Sequence, residues 1–136
     1  MREILFRAKC IDNGEWGYGV PIKDALAGSH DGYYPKIIPE CDGRHQTIYS
    51  TAIKEETLGQ YTGLKDLHGT RIFEGDVVKS IAAWYVVEFE NGGYGLRPFG
   101  KGKLIPIMGH GNFNENEVEV IGNVFDNPEL LEGDKT

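Results

Sequence analysis

The stretch "GQYTGLKDLHGTRIFEGDVVKS", Gly59 to Ser80, decides how this chain is read. It holds four glycines and three acids with almost no helical periodicity. A phosphate-cradling loop places its glycines ahead of a helix, with a lysine and a hydroxyl following. Here the β-branched run "VVKS" follows instead. The pattern is turn chemistry. Asp66 can accept backbone N–H groups in a tight turn, and Gly69 can supply the positive φ that closes it. Ile72 and Phe73 then face a core, and Gly75-Asp76 makes a second turn that launches the next strand.

Outward from this stretch the signals remain β. In "AWYVVEFE", Tyr85, Val87 and Phe89 fall on one face and Trp84, Val86, Glu88 and Glu90 on the other. "NGGYG" is a hairpin turn, and "LRPFG", "KLIPIM" and "EVEVIGNVF" continue the series, with Gly122 at a bulge. Upstream, "REILFRAK", "GEWGYGVPI" and "HQTIYSTAI" read as strands. "KDALAGS" has room for one helical turn, and "HDGYYPKIIPECDG" reads as loop or edge from its prolines and Asp-Gly pairs. Asp126 or Asn127 caps a final turn at Pro128. The expectation is a mainly β chain with minor helix: a β-rich N-terminal part over residues 1–62, a small SH3-like barrel over 63–125, and an acidic tail over 126–136.

Glycine is high, at 19 of 136 residues, about double the usual share. No run approaches the roughly 18 apolar residues of a membrane span. "MREILFRAKC" is broken by charges and does not resemble a signal peptide. Two cysteines, Cys10 and Cys41, do not make a secreted disulfide scaffold, so a reducing cytoplasm is the expected compartment. The net charge is −7, of which −6 lies from Asn114 onward. A near-neutral body with an acidic end is not the footprint of a dedicated nucleic-acid binder.

Two signatures, "GQYTGLKDLHGTRIFEGDVVK" and "VEVIGNVFDNPELL", together with the opening "REILFRA", resemble the YopX family of phage and prophage proteins. Residues Gly14 to Glu56 fit that pattern least. The resemblance implies phage encoding and an SH3-type C-terminal part, and it implies no particular activity. The residues carrying it (Gly59, Thr62, Gly63, Asp66, Gly69, Gly75, Asp76, Gly122, Asn123, Asn127 and Pro128) are turn and cap formers, not a catalytic set.

Candidate sites follow the same logic. Cys41 and His45 are four apart, but no second close ligand pair joins them from Cys10, His30, Asp31, His68 or His110, so neither a metal nor another cofactor is expected. Ser29-His30-Asp31 are neighbours whose side chains alternate in an extended segment, and no catalytic set is legible. Glu88 and Glu90 share a face in alternation with apolar residues, which reads as a solvated face. The segment "NGGYGLRPFGKGK" gathers Arg97, Lys101 and Lys103 with Tyr94 and Phe99 and contains no acid. Such a loop suits a phosphate backbone or a stacked base, or it is a soluble hairpin tip. The leading expectation is a non-enzymatic phage accessory protein that binds a host or phage protein, or itself. A nucleic-acid module using the Arg97–Lys103 loop is the alternative, and no membrane partner is expected.

Overall fold

A computed structural model describes residues 3–11, 13–24, 34–39, 51–81, 83–99, 101–107 and 117–131. The chain divides into two compact units, Met1–Gln60 and Tyr61–Thr136. It is mainly β, with two antiparallel sheets.

In the first unit, β1 (Phe6–Lys9) lies between β2 (Trp16–Asp24) and the first residues of β5 (Gly59–Lys65). Beyond β2 come β3 (Tyr34–Pro39) and the two-residue β4 (Thr51–Ala52). Within the segment expected to be loop or edge, Tyr34–Pro39 is therefore a strand, paired with β2 along its length and with β4 at Lys36 and Ile37. Its prolines stand second and last in β3, so the middle of the strand keeps its donors. Alternation sends Phe6 and Ala8 to one face, where they pack with Ile53 and Leu58. Thr57, in a single 3-10 turn over Glu55–Thr57, accepts the Lys9 N–H at 2.8 Å. Residues 25–33 and 40–50 lie outside the described residues, and with them most of "HQTIYSTAI" and all of the expected helical turn but Lys23 and Asp24, which end β2 as strand.

In the second unit, the rest of β5 pairs with β6 (Arg71–Phe73). The alternation of β5 is interrupted at Gly59 and Gly63, which hid it as a strand. Thr62, Gly63 and Leu64 stand opposite Ile72 alone, between the pairs Tyr61↔Phe73 and Lys65↔Arg71. The Thr62 hydroxyl stitches this bulge, donating to the Ile72 carbonyl at 2.8 Å and accepting the Leu64 N–H at 3.1 Å. The remaining strands are β7 (Asp76–Lys79), β8 (Trp84–Glu90), β9 (Gly93–Pro98), β10 (Ile105–Pro106) and β11 (Glu119–Asn123). They form an antiparallel sheet in the order β10-β9-β8-β7-β11. Its core is Ile72, Val78, Val87, Leu96, Ile107 and Val118, flanked by Leu64, Tyr85, Tyr94 and Val120. The bulge expected at Gly122 is present, with Ile121 as the extra residue between Val120↔Val78 and Gly122↔Val77.

The expected barrel does not close. The sheet ends at β10 on one side and β11 on the other. β10 has two residues and ends in Pro106, which has no N–H to offer a further strand. Beside β11, the Asp66 carboxylate takes the Val120 N–H at 2.9 Å, and the Leu67 N–H donates to the Val118 carbonyl at 3.1 Å. A turn, not a strand, covers that edge.

Candidate functional site

The turn residues of the opening stretch form one hydrogen-bonded system inside the second unit. Asp66 is buried. Its Oδ1 accepts the N–H groups of His68 (2.8 Å) and Thr70 (2.9 Å), and its Oδ2 accepts that of Val120. Burial alone would raise the carboxyl's pKa. The N–H donors of Val120, Thr70 and His68, helped by the charge of the His68 ring, outweigh it and hold the group below its ordinary value. Gly69 closes the turn at φ +82°. Its neighbour His68 reaches Glu119 at 2.8 Å across exposed surface.

The second turn follows the same plan. Gly75 sits at φ +90°, where an added Cβ would lie 3.1 Å from the Phe125 ring. Asp76, 2% exposed, takes the Phe73 N–H at 2.7 Å. At the end of β11, the Asn123 side-chain oxygen accepts the N–H groups of Phe125 and Asp126. The Asn127 side chain faces the Asn123 N–H at 3.3 Å as the 3-10 turn Pro128–Leu131 begins. Gly122 is required for space: a Cβ there would come within 2.5 Å of Asn127 Oδ1 and 2.8 Å of Leu130 Cδ1. These groups hold the chain's course. Gly59 is buried opposite Arg7 in the first unit, and Gly63 sits at φ +89° in the β5 bulge.

The β8–β9 hairpin and the segment after it hold the loop residues that the sequence offers as a binding site. Asn91 and Gly92 form its two-residue loop, with Glu90 paired to Gly93 and φ of 55° and 84°, as a type I′ turn requires. Direct pairing puts Phe89 beside Tyr94 and Val87 beside Leu96 on one face. Val87 and Leu96 are in the core, but the hairpin runs past it, and Phe89 is 50% exposed. Phe89 and Tyr94 meet edge to face, with centroids 5.1 Å apart.

Arg97 organises the other face. It lies in β9, not in the loop. Its Nε donates to both oxygens of Glu88 (2.9 and 3.0 Å), Nη2 donates to Glu90 (2.7 Å), and Nη1 donates to the Gly102 carbonyl (2.6 Å). The Glu88 hydrogen bond is the main reason its pKa stands above the ordinary arginine value. Gly93 and Gly95 stand opposite Glu90 and Glu88. Leu104 covers Gly95, where a Cβ would lie 2.6 Å from Leu104 Cγ. A groove results, lined by Glu90, Tyr94, Arg97, Lys103, Leu104 and Pro106.

Of the loop residues singled out from the sequence, Arg97 and Lys103 meet in this groove, and Tyr94 borders it while its ring packs on Phe89 on the opposite face. Lys101 is exposed in the loop beyond Pro98. Phe99 takes φ 51° and donates its N–H to the Trp84 carbonyl at 2.8 Å. Sequence reasoning missed Glu88 and Glu90 as partners of Arg97, although the hairpin register, once set by Asn91-Gly92, places all three on one face. Among the described residues no three His, Cys, Asp or Glu side chains gather as a metal site. Cys41, His45, Ser29, His30, Asp31 and His110 lie outside the described residues. No helix among the described residues is long and apolar enough to cross a membrane.

The family model described as YopX protein matches residues 5–132 of the chain. Among solved structures, the crystal structure of protein EF1440 from Enterococcus faecalis is similar in fold, with a TM-score of 0.50 and 22% identity over 96% of this chain and 99% of that one. No curated protein matches the chain.

Proposed function

The chain belongs to the YopX protein family, and on that premise we propose that it is a phage- or prophage-encoded accessory protein that acts by binding another protein in the bacterial cytoplasm, without catalysis. The observation that carries this reading is the β8–β9 hairpin. It presents an exposed ring, Phe89, set edge to face on the half-buried Tyr94 on one face and, on the other, a groove of mixed charge around Arg97. Aromatic rings and arginine are the side chains that most often anchor protein interfaces. Pro106 and the Asp66 turn occupy the two sheet edges, which favours docking through side chains over strand addition.

The alternative, a phosphate-binding loop at Arg97–Lys103, has less support. The Arg97 guanidinium is engaged by two carboxylates, and the remaining lysines supply little affinity at physiological salt. Affinity capture from lysogenic cells separates the readings, comparing the parent with Phe89→Ser, with and without nuclease. A specific protein retained after nuclease and lost in Phe89→Ser supports the hairpin as a docking surface. Recovery abolished by nuclease, or indifferent to Phe89, overturns it. Oligonucleotide binding by the parent that disappears in the triple change of Arg97, Lys101 and Lys103 to Ser would favour the alternative.

A further inference from the structure

The chain carries two asparagine–glycine pairs in closely matched sequence, Asp12-Asn13-Gly14 and Glu90-Asn91-Gly92. Each asparagine follows an acid, and each glycine leaves the peptide nitrogen after the asparagine without a side chain to shield it. Asn13, Gly14, Asn91 and Gly92 are all exposed, so exposure does not separate the pairs. Hydrogen bonding does. The Gly14 N–H donates to the Cys10 carbonyl at 2.9 Å. Asn13 Oδ1 accepts the Glu15 N–H at 2.9 Å, and Asn13 Nδ2 faces Glu15 Oε2 at 3.4 Å. In the β8–β9 hairpin the ladder closes at Glu90 and Gly93, and the two loop residues stand beyond it. Among the described residues nothing hydrogen-bonds the Asn91 side-chain amide or the Gly92 N–H, and a Cβ added at Gly92 would meet nothing within 4 Å.

We infer that Asn91 is a site of spontaneous covalent modification, its side-chain amide passing through a cyclic imide to a carboxylate while Asn13 is spared. The Gly92 nitrogen gives its proton to solvent base and attacks Asn91 Cγ. A C–N bond forms there, the bond from Cγ to Nδ2 breaks, and that nitrogen leaves as ammonia with a proton from water. Ring closure turns the Gly92 nitrogen toward Cγ, and the open space at the loop tip permits the movement. Water then opens the ring. Attack at Cγ yields aspartate, and attack at the backbone carbonyl yields isoaspartate. At Asn13 both reacting groups must first give up their hydrogen bonds, which slows the step about tenfold or more. Either product puts a carboxylate at the hairpin tip next to Glu90. Aspartate keeps the type I′ loop, since Asp-Gly is also favoured there. Isoaspartate lengthens the loop backbone by a methylene, and so short a loop has no slack to absorb it. The reaction depends on the loop alone and not on what the hairpin binds.

The test holds the full chain folded for several weeks at mildly alkaline pH and follows each site by peptide mass spectrometry. The Asn91 peptide should gain the mass of an amide-to-acid change at least about tenfold faster than the Asn13 peptide. Release of ammonia should keep pace with that gain. In denaturant, where Gly14 and Asn13 lose their partners, the two sites should react at comparable rates. The unsubstituted protein serves throughout, so no variant has to fold for the comparison to be made. No gain at Asn91 in the folded chain, or a gain at Asn13 that keeps pace with it, overturns the assignment. So does a bias toward Asn91 that survives in denaturant, because the selectivity would then lie in the neighbouring sequence and not in the loop.

Discussion

Asp66 joins sequence-local and distant contacts in one carboxylate. Two of its three N–H donors, His68 and Thr70, come from its own turn, and the third, Val120, comes from β11. An asparagine has one acceptor oxygen and cannot serve all three. Asp66→Asn is expected to cost about 1–3 kcal/mol in urea unfolding, the penalty for a buried donor left without a partner. The folded pKa is depressed from an ordinary 3.8, so the stability this ionised group contributes is fully present above that value. It is lost as pH falls through the lower folded value. Asp66→Asn should therefore show a flatter loss of stability below pH 3.8 than the parent; equal slopes in an acid titration would count against this role. Gly69 offers a contrast, because nothing stands within 4 Å of an added Cβ and only its φ of +82° matters. Gly69→Val is expected to lose about 1–3 kcal/mol by backbone strain. Gly69→Asn, which tolerates this conformation better, should lose distinctly less. Equal melting temperatures for all three proteins would mean the turn does not constrain this position.

The β8–β9 hairpin is set by a two-residue loop, and its register determines everything mounted on it. Asn91-Gly92 fixes Phe89 opposite Tyr94 and places Glu88, Glu90 and Arg97 on the reverse face. The segment after Pro98 is tied down by the Arg97 bond to the Gly102 carbonyl. Exposed cations contribute little to stability, so Lys101→Ser with Lys103→Ser should leave the melting temperature close to that of the parent. Arg97→Ser should lower it, because two carboxylates and a carbonyl lose a shared donor. Arg97→Lys should fall in between, since an ammonium cannot reproduce the fork. Thermal unfolding of the three variants checks the order. A drop as large for the lysines as for Arg97 would mean the guanidinium does not hold this segment.

Across the chain, metal is expected to contribute nothing. With one close Cys/His pair in the sequence, Cys41 and His45, purified protein should contain no stoichiometric zinc, and a chelator should not shift its thermal unfolding. One zinc per chain by elemental analysis would make those two residues the first ligands to test. The sequence alone determined the mainly β class, the turns at Gly69 and Gly75, the bulge near Gly122 and the Asn91-Gly92 hairpin. All of these depend on interactions within a few residues: a positive φ, a short side-chain acceptor, or an alternation of period two. Strand β5 escaped because Gly59 and Gly63 interrupt its alternation, and its pairing with β1 and β6 is a property of neighbours in space. The open sheet in place of a closed barrel was likewise decided by tertiary structure. Asp66 reaches Val120, 54 residues away, and covers an edge that no local pattern marks. The same holds for Arg97. The sequence displays a cation in an acid-free segment, and only strand register shows that Glu88 and Glu90 from the preceding strand hold its charge, because electrostatic partners are chosen by distance in space.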